Sequence, residues 1–171
     1  MTKEIPNNLF EGNRWELPAS DLKLCSEAVN KIEERLLDVW QDQDSIYDIM
    51  PAISDLFWNA VVHGSYGVSK KDKVNQEELW PEVIKRLGLT TDKKVTITLD
   101  IQPNYMEISF KDEGPGYDPS EDSLSSPELE NEEKFAATGR GKKFINESGF
   151  FDEVIYDKIN KSVTVKKRRA S

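Results

Sequence analysis

The chain has 171 residues, of which 37% are apolar and 32% charged, and its formal net charge is −9. This length fits one domain, and the negative charge argues against a general nucleic-acid binder. One cysteine and one histidine exclude an internal disulfide and a zinc site built from His and Cys. The chain has no apolar run of about 20 residues and no secretory signal at its start, so we expect a cytoplasmic protein.

The first third of the chain predicts one extended segment and two helices. Residues 8–17 are predicted to be extended, because Trp15 and Leu17 alternate with polar neighbours as in a strand. Helical spacing of apolar residues then predicts a helix that Ser20 caps and that runs to about residue 39. A second helix is predicted over residues 44–64, with Asp44 or Ser45 as its cap. Pro51 lies inside this pattern and is expected to kink the helix or to begin its second half.

The rest of the chain predicts a mostly antiparallel sheet. A short helix with Pro81 at its first position and Gly88 just past its end lies within residues 68–93. Alternating apolar residues predict four further strands, over residues 95–99, 105–110, 154–156 and 162–165. Strands and helices are partly segregated along the chain. This favours an α+β fold, a two-layer sandwich with a mostly antiparallel mixed sheet covered on one face by helices.

Three other stretches have no strand pattern. Residues 113–138 are rich in Gly, Pro, Ser and acids, and so long a loop is usually functional or disordered. A helix is predicted from Gly141 to Gly149. The basic residues in 166–171 are read as a solvated tail, which is the usual behaviour of a charge run.

The first segment with chemical potential covers residues 55–64. Asp55, Asn59 and His63 are spaced four apart, so a regular helix places them in one polar stripe among apolar neighbours. Buried polar groups need partners, and a magnesium ion with phosphate would satisfy a carboxylate and an amide. Hydrogen bonds to nearby backbone are the open alternative.

The second segment covers residues 112–118, directly after a predicted strand. Asp112 at the strand end can accept a hydrogen bond from an exocyclic amine such as that of adenine. Gly114 and Gly116 allow the backbone to turn sharply and to approach a flat ligand closely. The alternative is an ordinary acidic turn, since Gly, Pro and Asp are turn residues.

The third segment is a glycine pair that opens the last predicted helix. Gly139 and Gly141 offer free backbone N–H groups at a helix start, where phosphates bind readily. Arg140 and Lys142 add positive charge, and Thr138 precedes the pair. A solvated glycine loop is the alternative, and the spacing is not that of a P-loop.

In this order the three segments resemble the N, G1 and G2 boxes of the GHKL ATPase superfamily, most closely the anti-sigma-factor serine/threonine kinases. Residues 59–64 match the pattern Asn-Ala-x-x-His-Gly, and residues 112–118 match Asp-x-Gly-x-Gly-Phe-Asp with Tyr117 in place of Phe. Residues 139–141 match Gly-Arg-Gly. The likeness runs from about residue 10 to residue 165 and implies the histidine-kinase-like ATPase fold over the whole chain.

The resemblance implies ATP and Mg²⁺ as cofactors. Asn59 would coordinate the metal, Asp112 would read the adenine amine, Asp55 would stand where the family has a catalytic Glu, and residues 113–138 would form a lid. The other positions assigned to the nucleotide are His63, Gly114, Gly116, Thr138, Gly139, Arg140, Gly141 and Lys142.

The implied function is a kinase that phosphorylates a serine of a STAS-domain antagonist and binds a sigma factor in partner switching, with a homodimer as a further implication. Asp55 is one methylene shorter than Glu, and a misplacement of about 1 Å can cost roughly 10²-fold in rate. A nucleotide-binding regulatory module without phosphoryl transfer is therefore the alternative, and the ATP-binding part of a histidine kinase system is a third reading. Two further departures from the family are Lys142 at a usually apolar position and the long insertion over residues 68–93.

Overall fold

The computed structural model describes residues 8–75, 77–114 and 150–169. Five strands and three α-helices are formed by these residues. In chain order they are β1 (Arg14–Pro18), α1 (Leu22–Trp40), α2 (Gln43–Asn59), α3 (Trp80–Leu87), β2 (Lys94–Gln102), β3 (Tyr105–Asp112), β4 (Glu153–Asp157) and β5 (Ser162–Arg168). A π-helical turn (Ala60–Ser65) continues α2, and a short 3₁₀ turn covers Lys70–Asp72.

The strands form one sheet in the order β1-β2-β3-β5-β4. Every neighbouring pair is antiparallel. The α+β class is therefore confirmed, whereas the prediction of a mixed sheet is wrong for the part of the chain that the structure describes. β5 lies between β3 and β4, so it pairs with β3 of the long β2–β3 hairpin on one side and with β4 on the other.

The core lies between one face of the sheet and the helices. Inner and outer residues alternate in β1 to β3, so every second side chain is buried. The largest fully buried side chains come from both layers, namely Trp15, Trp40, Phe57 and Phe110. Full burial of such a side chain is worth on the order of 1.5–3 kcal/mol, so this interface is what holds the sheet against α1 and α2.

Both predicted helix caps are displaced by a residue or more. Asp21 caps α1 by accepting a hydrogen bond from the Leu24 N–H at 3.0 Å. Asp42 caps α2, accepting from the Ser45 N–H at 3.3 Å and hydroxyl at 2.6 Å, and the hydroxyl bond lowers the pKa of Asp42. α2 continues unbroken through Pro51.

Residues 68–93 pack against the π-helical turn instead of looping freely. Val62 of the turn joins Val68, Val83 and Ile84 in a second buried cluster. The predicted short helix is confirmed as α3, with Pro81 in its first turn. Gly88 ends α3 in the left-handed conformation with φ of 64°.

The prediction of a solvated basic tail is wrong for residues 166–168, which are the last residues of β5. Lys166 lies opposite Glu107 on one side and Glu153 on the other, and such cross-strand charge pairs favour the strand. Lys167 donates to the Phe150 carbonyl at 2.8 Å. Of the helices in the described ranges, none combines the length and apolar character that crossing a bilayer requires.

Candidate functional site

A cleft opens between the end of α2 and the sheet. It encloses about 320 Å³, counting the solvent at its mouth. Asn59 lines it from α2 and Asp112 lines it from the end of β3. Its other described lining residues are Leu56, Ala60, Phe110, Tyr156, Lys161, Ser162 and Val163. Two of the three predicted polar groups thus share one cavity, although they are 53 positions apart in the sequence.

Asp112 is a buried carboxylate, only 3% exposed. It falls on an inward-facing position of β3, which carries it under the helix layer instead of into solvent. Its Oδ1 accepts a hydrogen bond from the Gly114 N–H at 2.9 Å. Its own N–H donates to the Lys161 carbonyl at 3.2 Å, which ties the strand end to β5.

Two glycines let the helix layer approach Asp112. A Cβ on Gly64 would collide with the Asp112 carboxylate, and a Cβ on Gly114 would collide with the Gly64 carbonyl. The sequence marked Gly64 as a helix end and the last residue of the Asn-Ala-x-x-His-Gly match, and Gly114 as a turn that allows close approach to a flat ligand. The structure adds that both are required by the close contact between the π-helical turn and the end of β3.

The predicted stripe of Asp55, Asn59 and His63 is interrupted by the π-helical turn. The Tyr66 N–H donates at 3.2 Å to the carbonyl of Val61, five residues earlier, and this spacing is the hydrogen bond of a π-helix. The π-helical turn begins at Ala60, so Asn59 ends the regular α-helix while His63 belongs to the wider turn.

His63 faces the segment that follows the turn. Its Nδ1 lies 2.5 Å from the Val68 carbonyl, and its ring meets the Trp80 ring edge-on at 5.1 Å. His63 is not among the described residues that line the cleft. The expected place of His63 beside the nucleotide therefore stays a prediction.

Asp55 lies one turn before Asn59 on α2 and is exposed, whereas Asn59 is half-buried. Asp55 does not line the cleft in the part of the chain that is described. The sequence predicted burial for Asp55 because its neighbours are apolar. Those neighbours instead fill the core and leave Asp55 on the solvent side of the helix.

The hairpin of β4 and β5 supplies residues that the sequence did not single out. Burial raises the pKa of the Tyr156 hydroxyl in the cleft wall. Lys161 has a left-handed backbone with φ of 55°, in a turn that Asp157 fixes by accepting from the Ile159 and Asn160 N–H groups, each at 3.0 Å. Only the pairing of β5 with β3 brings these residues to Asp112, and no local sequence signal shows that pairing.

The rest of the predicted site lies outside the described residues. This holds for Gly116, Thr138, Gly139, Arg140, Gly141 and Lys142, for nearly all of the predicted lid 113–138 and for the helix predicted over 141–149. Within the described ranges, no three His, Cys, Asp or Glu side chains are grouped so as to hold a metal ion.

In comparisons with known proteins, no protein-family model and no curated sequence matches the chain.

Proposed function

We propose that the chain binds ATP with Mg²⁺ in the cleft between α2 and the sheet. The observation that carries the proposal is that Asn59 and Asp112 line the same cavity. A buried carboxylate at a strand end can recognise the exocyclic amine of adenine. An amide oxygen on the facing helix suits Mg²⁺, which prefers oxygen ligands and takes several of them from phosphate and water.

The donor set fits such a ligand. A carboxylate accepts several hydrogen bonds, so the bond from Gly114 N–H to Asp112 is compatible with a further one from an amine. Phe110, Leu56 and Val163 give the cleft apolar walls of the kind that an aromatic base needs.

For the reaction, we propose an anti-sigma-factor type of serine/threonine kinase with a histidine-kinase-like GHKL fold. Its substrate would be a serine of a STAS-domain antagonist, and its second partner a sigma factor. The order of the three motif-like segments supports this assignment, together with an antiparallel sheet covered by helices. Asp55, one helical turn before Asn59, is the proposed general base.

A nucleotide-binding regulatory module is the second candidate. It is favoured by the position of Asp55, which is exposed and does not belong to the described wall of the cleft. A carboxylate in that position, one methylene shorter than Glu, is poorly placed to take a proton from a serine hydroxyl.

The experiment combines nucleotide binding with phosphoryl transfer. The full chain is incubated with Mg²⁺, labelled ATP and a STAS-domain protein, beside the variants Asp55→Asn and Asp48→Asn. Asp48 is a matched control, because it is exposed on the same helix. Loss of a general base should slow transfer roughly 10²- to 10⁴-fold in Asp55→Asn alone.

The outcomes separate the candidates. Transfer that depends on Asp55 supports the kinase. ATP binding without transfer to the STAS-domain protein supports the regulatory module. A chain that does not bind ATP at all refutes both.

A further inference from the structure

The turn between β4 and β5 is built around one carboxylate. Oδ1 of Asp157 accepts hydrogen bonds from the N–H groups of Ile159 and Asn160, each at 3.0 Å, and Oδ2 accepts from the Asn160 side-chain amide at 2.7 Å. The bond from the Asn160 N–H, and after it the bond from the Asn160 amide, lowers the pKa of Asp157 below its ordinary value. The carboxylate is thus ionised at neutral pH, in the form that accepts all three bonds.

The turn ends at Lys161, in a backbone conformation that the rest of the turn must hold. Lys161 has φ of 55°, in the left-handed region that disfavours a residue with a Cβ. Asp157 pairs with Ser162 across the hairpin, so its carboxylate lies where the turn closes. The bonds to Asp157 fix the residues just before Lys161. They therefore set the direction of the Lys161 carbonyl.

The carbonyl of Lys161 holds the end of β3. It accepts from the Asp112 N–H at 3.2 Å, one step beyond the last pair of β3 and β5, which is Lys111 with Ser162. On its other side Asp112 pairs with Val95 of β2. Asp112 is thus kept in the pleat of the sheet, and the pleat directs its side chain inward, under the helix layer.

The turn is also part of the cleft wall. Lys161 and Ser162 line the same cavity as Asn59 and Asp112. Asp157 is not among the described residues that line the cleft, so it acts on a ligand through the turn and not by contact. Hydrogen bonds weaken steeply as their distance and angle depart from the optimum. Loosening the turn would therefore weaken any bond that the Asp112 carboxylate accepts from a ligand.

We propose that Asp157 is a positioning residue for recognition of the base: through the turn and the Lys161 carbonyl, it holds the Asp112 carboxylate where it accepts from the exocyclic amine of adenine. This inference rests on the proposed function. The effect falls on the base and not on the phosphates, because the turn adjoins the end of β3 whereas Asn59 lies on the facing helix. Asp157 thus contributes to the preference for adenine over a purine that carries an oxygen in place of the amine.

The test is calorimetric titration of the full chain with ATP and with inosine triphosphate, each with Mg²⁺. Inosine triphosphate carries an oxygen at the position of the amine, so it cannot donate a hydrogen bond to Asp112 from that position. The wild type should prefer ATP at least about tenfold, which is the effect of one hydrogen bond to a charged group. Asp157→Ala should lower ATP affinity roughly three- to tenfold and change the affinity for inosine triphosphate less than about twofold, so the preference shrinks.

Two further variants separate positioning from a general loosening of the fold. Asp157→Asn keeps an oxygen that accepts from the Ile159 and Asn160 N–H groups, and it should retain most of the preference for ATP. Asp72→Ala is the matched control, because Asp72 is also half-buried and accepts from a backbone N–H, that of Ser69 at 2.8 Å, in another turn. It should change neither affinity.

A milder variant keeps the test decisive if Asp157→Ala does not fold. Asn160→Ala removes only the 2.7 Å bond from the side-chain amide, so it should reduce the preference for ATP about twofold. Urea unfolding of each variant establishes that a folded protein is being titrated.

The results that overturn the inference differ from those that overturn the proposed function. An unchanged preference in Asp157→Ala, or an equal fall of both affinities, refutes the positioning role and leaves the nucleotide site intact. A wild type that binds both nucleotides equally well refutes recognition of the amine by Asp112, and with it the role of Asp157. A wild type that binds neither nucleotide refutes the proposed function as well.

Discussion

Gly64→Ala is the sharpest perturbation of the candidate site, because one methyl group is directed at the carboxylate that we propose to recognise adenine. The new Cβ would overlap the Asp112 side chain, and Gly64 also touches Gly114 through its carbonyl. The side chain of Asp112 is 3% exposed and cannot swing into solvent without opening the contact between the π-helical turn and β3. Either the carboxylate or the turn must move.

The size of the effect follows from what is lost. Overpacking a well-packed site costs about 1–3 kcal/mol. If the carboxylate moves, its 2.9 Å bond from the Gly114 N–H is also broken, at a further cost of about 1–3 kcal/mol for a buried donor. The proposed adenine contact of Asp112 would be a hydrogen bond to a charged group, worth about 1.5–3 kcal/mol, so ATP affinity should fall roughly 10- to 150-fold.

The assay pairs urea unfolding with ATP titration, and Gly12→Ala is the control. A Cβ on Gly12 meets no atom within 4 Å, so this variant makes the same chemical change in open space. We expect a loss of stability and of ATP affinity in Gly64→Ala and almost none in Gly12→Ala. Equal behaviour of the two variants would refute the packing that the structure assigns to Gly64 and Asp112.

Two more predictions concern Asp112 and Cys25. Asp112→Asn keeps an oxygen that accepts from the Gly114 N–H but removes the negative charge. ATP affinity should therefore fall about tenfold, with little change in the free energy of unfolding. If calorimetry finds wild-type affinity, adenine recognition by Asp112 is refuted. Burial, with a smaller contribution from Asp21, raises the pKa of the Cys25 thiol from its ordinary 9.0 to about 12. The folded state therefore holds this proton more tightly, and the stabilisation is complete below pH 9 and is lost as the pH rises toward 12. Relative to Cys25→Ala, the free energy of unfolding of the wild type, measured in urea, should fall by about 2 kcal/mol between pH 8 and pH 10.5. If the unfolding free energies of the two proteins depend on pH in parallel, the thiol is not buried.

Periodicity predicted the elements of this fold where side chains alternate or repeat regularly. Side chains alternate between the two faces of β1 to β3, and β2 and β3 lie within three residues of their predicted bounds, whereas β1 begins at Arg14 and not at residue 8. The extent of β5 was missed because Lys166 and Lys167 look like a solvated tail on their own. Their partners, such as Glu107 and Glu153, become neighbours only once the strands pair.

The candidate site was predictable in its chemistry but not in its geometry. Asn59 and Asp112 were chosen for residue type and local context, and both line the cleft. The place of His63 beside the nucleotide stays a prediction, because in the structure His63 contacts Val68 and Trp80 and does not belong to the described wall of the cleft. A carboxylate in a run of apolar residues also suggested burial for Asp55, although the apolar side chains of one helix can occupy the core while Asp55 stays outside.

Asp112→Ala is the more obvious substitution for testing this carboxylate. The structure argues against that choice, because the carboxylate is buried and accepts from the Gly114 N–H. Removing it would leave a buried donor without its acceptor, and stability and binding would change together. Asparagine avoids this coupling, which is why it is the better substitution.

The change of winding after Asn59 links the cleft to the segment over residues 68–93. Regular α-helical winding would stack His63 over Asn59 and direct both at the same side. In the wider turn, Asn59 faces the cleft while Val62 and His63 face Val68 and Trp80. Trp58 packs against both hydrophobic clusters and so connects the main core with the cluster of Val62, Val68, Val83 and Ile84. One short stretch of helix thus lines the cleft through Asn59 and supports, through His63, the Trp80 ring on which Lys73 rests.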